Sequence, residues 1–334
     1  MLRSLAPAAV AGILSATAPA LANDSTAALG AGGLTLTQSA DVRMASEDLF
    51  ISREQVRVRY SFVNDSAVPI TTRVAFPLPE ANLQELGETD LNIPSTDGVN
   101  IVNFAVTVDG RSVRPDLEQK AFFKGQEVTE LLRRTGAPLG YPGQDFNNRL
   151  MRLPAGARQE LARRGLVEFS GDMAQAMWTV KNIFYWQQTF PAGRPLAVEH
   201  SYKPIVGGSF IPSTGFFENP KAYRSDDFGK RYCVDDGTYA GIAQRLRAAQ
   251  KRTPGQTALM MSWYVDYVLT TGRNWKGPIG RFRLTVDKGH AENLISFCMD
   301  GVRKSGATTF VVEKRDFEPE RDLHILIVEP PRQN

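Results

Sequence analysis

The stretch VRYSFVNDSAVPITTRVAFPLP, residues Val58 to Pro79, decides the class of fold. With the two residues before it, it sets Val56, Val58, Tyr60 and Phe62 against Arg57, Arg59 and Ser61. Successive side chains of a strand point to opposite faces, so a period of two marks a strand with one face in a core. Asn64, Asp65 and Ser66 form a turn cluster, because short polar side chains bond to their own backbone. Alternation resumes at Val74, Phe76 and Leu78. Pro77 and Pro79 end it, since proline donates nothing to a ladder.

Working outward, the same test finds a one-sided strand at Val102, Phe104, Val106 and Val108, with Asp109-Gly110 behind it as a hairpin turn. Trp178, Val180, Phe184 and Trp186 predict another strand, and Leu196 to Lys203 predicts its partner beyond a turn at Pro191 to Pro195. Near the end, alternation returns at Trp263, Val265, Tyr267 and Leu269, and at Phe282, Leu284 and Val286. Further strands are expected at 294–299, 309–313 and 323–328.

Helical signals fill the middle. Gly125 to Arg134 carries Glu127 and Glu130 early and Arg133 and Arg134 late, as a helix dipole favours, and Gly136 and Pro138 stop it. Pro154 to Arg164 reads as a second helix with Gly165 as its stop. Gly136 to Asn148 reads as a long loop. Thr238 is the expected cap of a helix from Tyr239 to Lys251, ended by Pro254-Gly255.

The chain has 334 residues, 42% of them hydrophobic and 22% charged, enough for packed cores and too apolar for a disordered chain. At roughly 150 residues per domain, that length predicts two. The expected fold is mainly β with α insertions, an α+β chain of two β-sandwich domains. Residues 23–206 would form the first, with a helical insertion at about 119–170; 207–255 a linker and helix; 256–330 the second sandwich.

The N-terminus gives an address. Arg3 is a short positive region, 5–18 is apolar and rich in alanine, and Ala20-Leu21-Ala22 is a small-x-small cleavage site. This predicts a signal peptide at residues 1–22, cleaved after Ala22, and a periplasmic or secreted protein. The other reading is an uncleaved anchor, against which stand Pro7, Pro19 and the weak apolarity of alanine. No later window approaches 18 apolar residues, so no transmembrane span is expected in the mature chain. In an oxidising compartment Cys233 and Cys298 are expected to pair, the other reading being two buried free thiols.

The chemistry-bearing residues are few. Thirty-nine basic against 36 acidic residues give a net charge of +3, too small to argue for nucleic acid. No G-x-S-x-G motif and no H-x-x-x-H pair is present, so neither a serine hydrolase elbow nor a zinc protease helix is indicated. His200 shares strand parity with Val198 and Tyr202 and reads as a structural histidine. Asp226, Asp227, Asp235 and Asp236 cluster around Cys233. They are open to three readings: a solvated turn before a helix, a calcium site, or the carboxylate pair of a hydrolase acting on glycans. Trp275 sits with Arg273 and Lys276 in a glycine-bounded loop. These three residues are the candidate binding loop, with the tryptophan as anchor. The competing reading folds the ring back over the sandwich edge. Arg133, Arg134, Arg149, Arg152, Arg158, Arg163 and Arg164 make the insertion locally basic, as a solvated helix face or a surface for anionic envelope lipid or a partner's acidic patch.

Three blocks carry a resemblance: NDSTAALGAGGLTLTQSADVRMASEDLFIS at 23–52, the quoted stretch at 58–79, and NWKGPIGRFRLTVDKG at 274–289 with LISFC at 294–298. Together they resemble the secreted bacterial domain-of-unknown-function family 4424, over nearly the whole mature chain. The resemblance implies a Gram-negative, periplasmic protein and brings no activity. VRYSFVNDS and VAFPLP are also similar, in part, to the N-terminal β domain of vault and inter-alpha-trypsin inhibitor proteins. The D-x-S-x-S adhesion motif of those families is missing here, so only a sandwich is implied.

The expected function is therefore non-catalytic binding of a protein or envelope component, with no catalytic, metal or cofactor residues assigned. The alternative is a periplasmic hydrolase using the acids of Asp226–Asp236.

Overall fold

In the computed structural model, residues 23–30, 33–84, 100–140 and 145–331 are described. The expected signal segment, 1–22, lies outside them. The first part of the chain runs β1 (Ser25–Gly30), β2 (Gly33–Thr37), β3 (Val42–Ile51), β4 (Val56–Asn64), β5 (Ile70–Pro77), β6 (Ala81–Asn82), β7 (Ala105–Val108), β8 (Arg111–Val113), β9 (Asp116–Phe123) and β10 (Gln126–Glu127). Then come α1 (Thr129–Thr135), α2 (Phe146–Met151), α3 (Ala155–Arg163), β11 (Val167–Ser170), β12 (Met173–Ala176), β13 (Thr179–Phe190) and β14 (Pro195–Tyr202). The rest is β15 (Gly207–Pro212), α4 (Ser213–Glu218), α5 (Pro220–Arg224), α6 (Asp227–Tyr232), α7 (Asp236–Arg252), β16 (Leu259–Tyr267), a 3₁₀ turn (Thr270–Asn274), β17 (Ile279–Asp287), β18 (Leu294–Phe297), β19 (Arg303–Lys304), β20 (Thr309–Phe317) and β21 (Leu323–Glu329).

The fold is mainly β with helical insertions, as expected. A seven-stranded sheet runs β10-β9-β13-β5-β1-β2, with β6 also on β13. An eight-stranded sheet runs β19-β20-β17-β3-β4-β14-β7-β8, and a four-stranded one runs β15-β16-β21-β18. The seven-stranded sheet packs on the β4-β14-β7 end of the eight-stranded one. Phe104 lies with its ring 5.0 Å from Phe76 and 4.4 Å from Phe184. The four-stranded sheet joins the same core through Val265, Tyr267, Ile325 and Ile327, which cluster with Ile279, Phe282 and Leu284 of β17. Its other face is covered by α4 to α7: Phe216, Tyr232, Ile242 and Leu246 meet Met260, Leu326 and Val328.

The expected division at 207–255 does not separate two sheets systems. β3 pairs in parallel with β17, Arg281–Val286 against Ser46–Ile51, so one sheet runs through both halves. The two sandwiches share a sheet and a core. Periodicity says which face of a strand is buried; it does not say which distant strand lies alongside.

One row across this sheet shows the rule. Glu313, Arg283, Asp48, Arg59 and Glu199 are aligned across β20, β17, β3, β4 and β14. Charges alternate along the row, so each residue faces opposite charges on its neighbours. The next row, Val312, Leu284, Leu49, Val58 and His200, points into the core.

The helical insertion is smaller than expected. Residues 116–123 form β9 on the edge of β13, although the stretch DLEQKAFF shows no clean alternation because most of it is only half-buried. The loop expected at 136–148 holds the start of α2, whose residues Phe146 and Leu150 are buried. The turn signals do hold. Asp109 and Gly110 both take positive φ (46° and 74°) between β7 and β8, as a type I′ hairpin requires. Gly136 ends α1 at φ 75°.

Candidate functional site

A cleft opens where the two sandwiches meet, with a volume of about 560 Å³. Its walls are largely aromatic: Tyr202 from the end of β14, Phe228 and Tyr232 from α6, and Tyr264 from β16. Arg231 and Asp266 add charge, and Leu78 and Ala81 contribute from the seven-stranded side. Phe228 and Tyr232 share one helix face because residues four apart are neighbours there. The helix can sit so tightly only because residue 229 is glycine. A Cβ at that position would lie 2.3 Å from the Arg224 carbonyl carbon.

The aromatic side chains pack in series. Phe228 and Tyr232 rings are 5.1 Å apart, and Tyr232 stacks on Tyr264 at 5.3 Å and 20°. Beside them Asp266 accepts from Arg231 Nη2 at 3.0 Å and lies 2.7 Å from His324 Nδ1. Burial, and then the Asp266 charge, push the Tyr232 phenol up from its ordinary range, so it stays neutral. Burial alone does the same to Tyr202. The Tyr202 hydroxyl is buried and has no hydrogen-bond partner among the described residues. A buried hydroxyl without a partner costs free energy, and this one points to the Tyr267 side of the core and away from the open cleft.

The disulfide is present. Cys233 and Cys298 are bonded, 65 positions apart, and fasten the C-terminal end of α6 to the end of β18. Cys233 takes φ 50°, the left-handed conformation that ends the helix. The bridge thereby holds the element that carries Phe228 and Tyr232.

The four acids are not gathered in one cavity. Asp227 lines the cleft, whereas Asp235 and Asp236 border a separate depression beside α5. All four are exposed. Asp235 caps α7 by accepting from the Thr238 backbone N–H at 2.6 Å, so the cap is Asp235 and not Thr238. Asp236 pairs with Arg224. Helix N-termini account for these carboxylates. Among the described residues no three His, Cys, Asp or Glu side chains come together as a metal site.

The candidate binding loop is also rearranged. Trp275 is only 2% exposed. Its ring lies 4.4 Å from Phe62 and 5.6 Å from Phe190, and its Nε1 donates to the Asp24 carbonyl at 2.7 Å. The ring is folded back into the sandwich, which removes it as an exposed anchor. Arg273 and Lys276 stay outside, and Lys276 pairs with Asp65 at 3.1 Å. Of the basic set on the insertion, Arg133 pairs with Glu130, and Arg134 and Arg164 both pair with Glu160. Sequence reasoning missed the cleft, because its aromatic residues come from three elements spread between Tyr202 and Tyr264. Tyr202 and Tyr264 look like any other strand residues.

Two β-sandwiches sharing a sheet, with an aromatic cleft at their joint and a disulfide holding one wall, define a β-rich protein with a ligand-sized recess. The chain belongs to the family described as Domain of unknown function (DUF4424), whose model matches residues 22–326. It is also similar to a solved structure, a proposed nutrient binding protein from Legionella pneumophila. The identity is 16%, the TM-score 0.47, and the match covers 92% of this chain and 70% of that one. No curated protein matches the sequence. No helix among the described residues is long and apolar enough to cross a membrane.

Proposed function

We propose that the chain is exported to the periplasm or beyond, is cleaved after Ala22, and works as a non-catalytic binding protein. Its cleft takes a small envelope component with a flat or apolar body and at least one hydrogen-bonding group. The observation that carries this reading is the run of Phe228, Tyr232 and Tyr264 along one wall of the recess, with the Arg231–Asp266 pair beside it as the polar group. A cleft of this volume falls in the range of small-molecule sites, which are mostly apolar with a few placed polar groups. Export is supported by the disulfide, which persists in oxidising compartments.

The test uses protein exported with its own signal. It is incubated with a small-molecule extract of the periplasm, freed of unbound solute, denatured, and the released compounds are identified by mass spectrometry. A compound retained by the wild type and lost from Tyr264→Ala is the expected result, with Phe228→Ala retaining less of it than the wild type. Equal retention by all three proteins, or retention by none, would remove the cleft from the account. Intact mass of the exported protein reports the cleavage position.

A further inference from the structure

Asn23, Asp24 and Ser25 are all polar, and all are fully buried. They enter between the two sandwiches. The Asn23 backbone N–H donates to Thr271 Oγ1 at 2.6 Å, and its carbonyl accepts from the same hydroxyl at 2.7 Å. The Asn23 side chain donates to Glu47 Oε2 at 3.2 Å and accepts from the Asp24 N–H and the Tyr60 hydroxyl. Asp24 accepts from the Trp275 indole at its carbonyl and lies 3.0 Å from His200 Nε2 at its carboxylate. Asn274 Nδ2 donates to Ser25 Oγ at 2.9 Å. A glycine makes room: a Cβ on Gly272 would sit 3.0 Å from Asn23 Nδ2. Three polar residues at the start of a strand are thus held by β3, β4, β14 and the turn after β16.

This knot holds two acids and no lysine or arginine among the described residues. Asp24 and Glu47 are both buried carboxylates. The titratable groups around them are His200, Tyr60, Tyr202 and Tyr267. Among the described residues no lysine or arginine bonds to either acid. Asp24 Oδ1 and Glu47 Oε1 have no hydrogen-bond partner among the described residues. Buried carboxylates without a cation are costly, and each orphan oxygen adds to the cost. Desolvation pushes both acids up, Glu47 to about 8.

We propose that the missing cation is the α-ammonium of Asn23, set free when residues 1–22 are removed, and that it closes the two sandwiches together as the partner of Glu47. This rests on cleavage after Ala22, as in the function proposed above. Hydrolysis of the Ala22–Asn23 peptide bond adds the hydroxyl of water to the Ala22 carbonyl and a proton to the Asn23 nitrogen, and the amine takes a second proton from solvent. A peptide N–H offers one proton. The ammonium offers three: one keeps the Thr271 hydroxyl, and two are left for the acid of Glu47, whose carboxylate the Asn23 side chain already reaches. Removal of the leader is then the step that completes the core, and a chain keeping even one extra residue lacks the pair.

The test compares a protein released from a fusion so that it begins at Asn23, the same chain beginning at Ala22, and Glu47→Gln beginning at Asn23. The native α-amine is labelled by reductive methylation and read by mass spectrometry of the N-terminal peptide. In the Asn23 protein it should react at least about tenfold more slowly than surface lysines, as a buried paired ion does. The melting temperature of that protein should exceed that of the Ala22 form by about 4 °C or more at neutral pH. Glu47→Gln should restore labelling of the amine. Labelling of the Asn23 amine at the rate of lysines, or equal melting of the two wild-type forms, would overturn the proposal. If Glu47→Gln does not fold, the labelling of the wild-type protein decides alone. An exported protein whose mass starts elsewhere than Asn23 would sink the processing step, while the fusion product still tests the ion pair.

Discussion

His200 Nε2 and Asp24 Oδ2 lie 3.0 Å apart, with neither side chain exposed to solvent. His200 occupies the core-facing row of β14, opposite Val58, and its ring stacks on Phe76 and Phe104 at 5.0 and 5.2 Å. The pair is therefore placed in the middle of the shared core. Removing one partner of such a pair leaves the other buried and uncompensated. Asp24→Ala should lower stability by about 3–5 kcal/mol in urea titration. A double change to Asp24→Ala with His200→Leu should recover part of that loss, because it removes both polar groups together. A single-mutant loss below about 1 kcal/mol, the level of an ordinary exposed pair, would contradict the buried pairing.

Much of this was legible beforehand, and the exceptions have physical reasons. The strands expected at 56–62, 178–186 and 282–286 appear close to where alternation put them, and the one expected at 263–269 runs instead over Leu259–Tyr267, because one-sided burial writes itself into a period of two without fixing the ends. Strand parity also put His200 inside. The same parity test does not place Glu47, because a bulge between Met44 and Ser46 shifts the core side of β3 from even to odd positions. What could not be read is the parallel β3–β17 pairing, since the rows match many strands equally well. The burial of Asn23 to Ser25 was hidden too. Polar residues behind a leader look like a solvated tail, and only their neighbours in space say otherwise. Trp275 shows the reverse: its flanking glycines and cations suggested a surface loop, while the indole found a carbonyl inside.

A pH dependence follows for the chain that continues upstream of Asn23. There Glu47 faces Asp24 just before β1, Tyr60 on β4 and Tyr267 on β16, with His200 of β14 beyond Asp24 and Tyr202 of β14 beyond Tyr267, and its pKa stands at about 8 against 4.5 when free. Between those values the folded protein holds a proton that the unfolded chain has released. Stability from this group is complete below the free value and is lost as pH rises through about 8. Asp24, also raised, acts in the same direction. The urea midpoint of the Ala22 form should fall steadily from pH 5 to pH 8, read by tyrosine and tryptophan fluorescence. A midpoint that rises over that range would show that Glu47 is held ionised.

The disulfide should matter for the cleft as well as for the whole chain. Closing a loop between positions 65 apart is worth about 4 kcal/mol on the chain-entropy account. Cys233→Ser with Cys298→Ser should lower stability by up to about that amount. Hydrogen exchange should quicken most in 227–234, because α6 has only six residues and depends on its attachment to β18. Uniform quickening across all strands, with 227–234 no different, would mean that the bridge does not hold the cleft wall.

Trp275 separates packing from surface recognition in one loop. Its truncation to alanine removes a ring that contacts Phe62 and Phe190, so the expected loss is about 3–5 kcal/mol. Trp275→Phe keeps an aromatic ring and drops only the bond to the Asp24 carbonyl, an expected loss of about 1 kcal/mol from that bond. Arg273→Ala lies on the exposed side and should stay within about 0.5 kcal/mol of wild type. Lys276→Ala deletes an exposed pair with Asp65, whose carboxyl is held below its usual range by the Lys276 hydrogen bond. Such pairs are screened by solvent, so the change should be small and should shrink further in salt. Neither surface variant should alter what the cleft retains. If Trp275→Ala leaves stability unchanged while Arg273→Ala and Lys276→Ala abolish retention, the loop is a binding surface after all and the buried indole is not its native state.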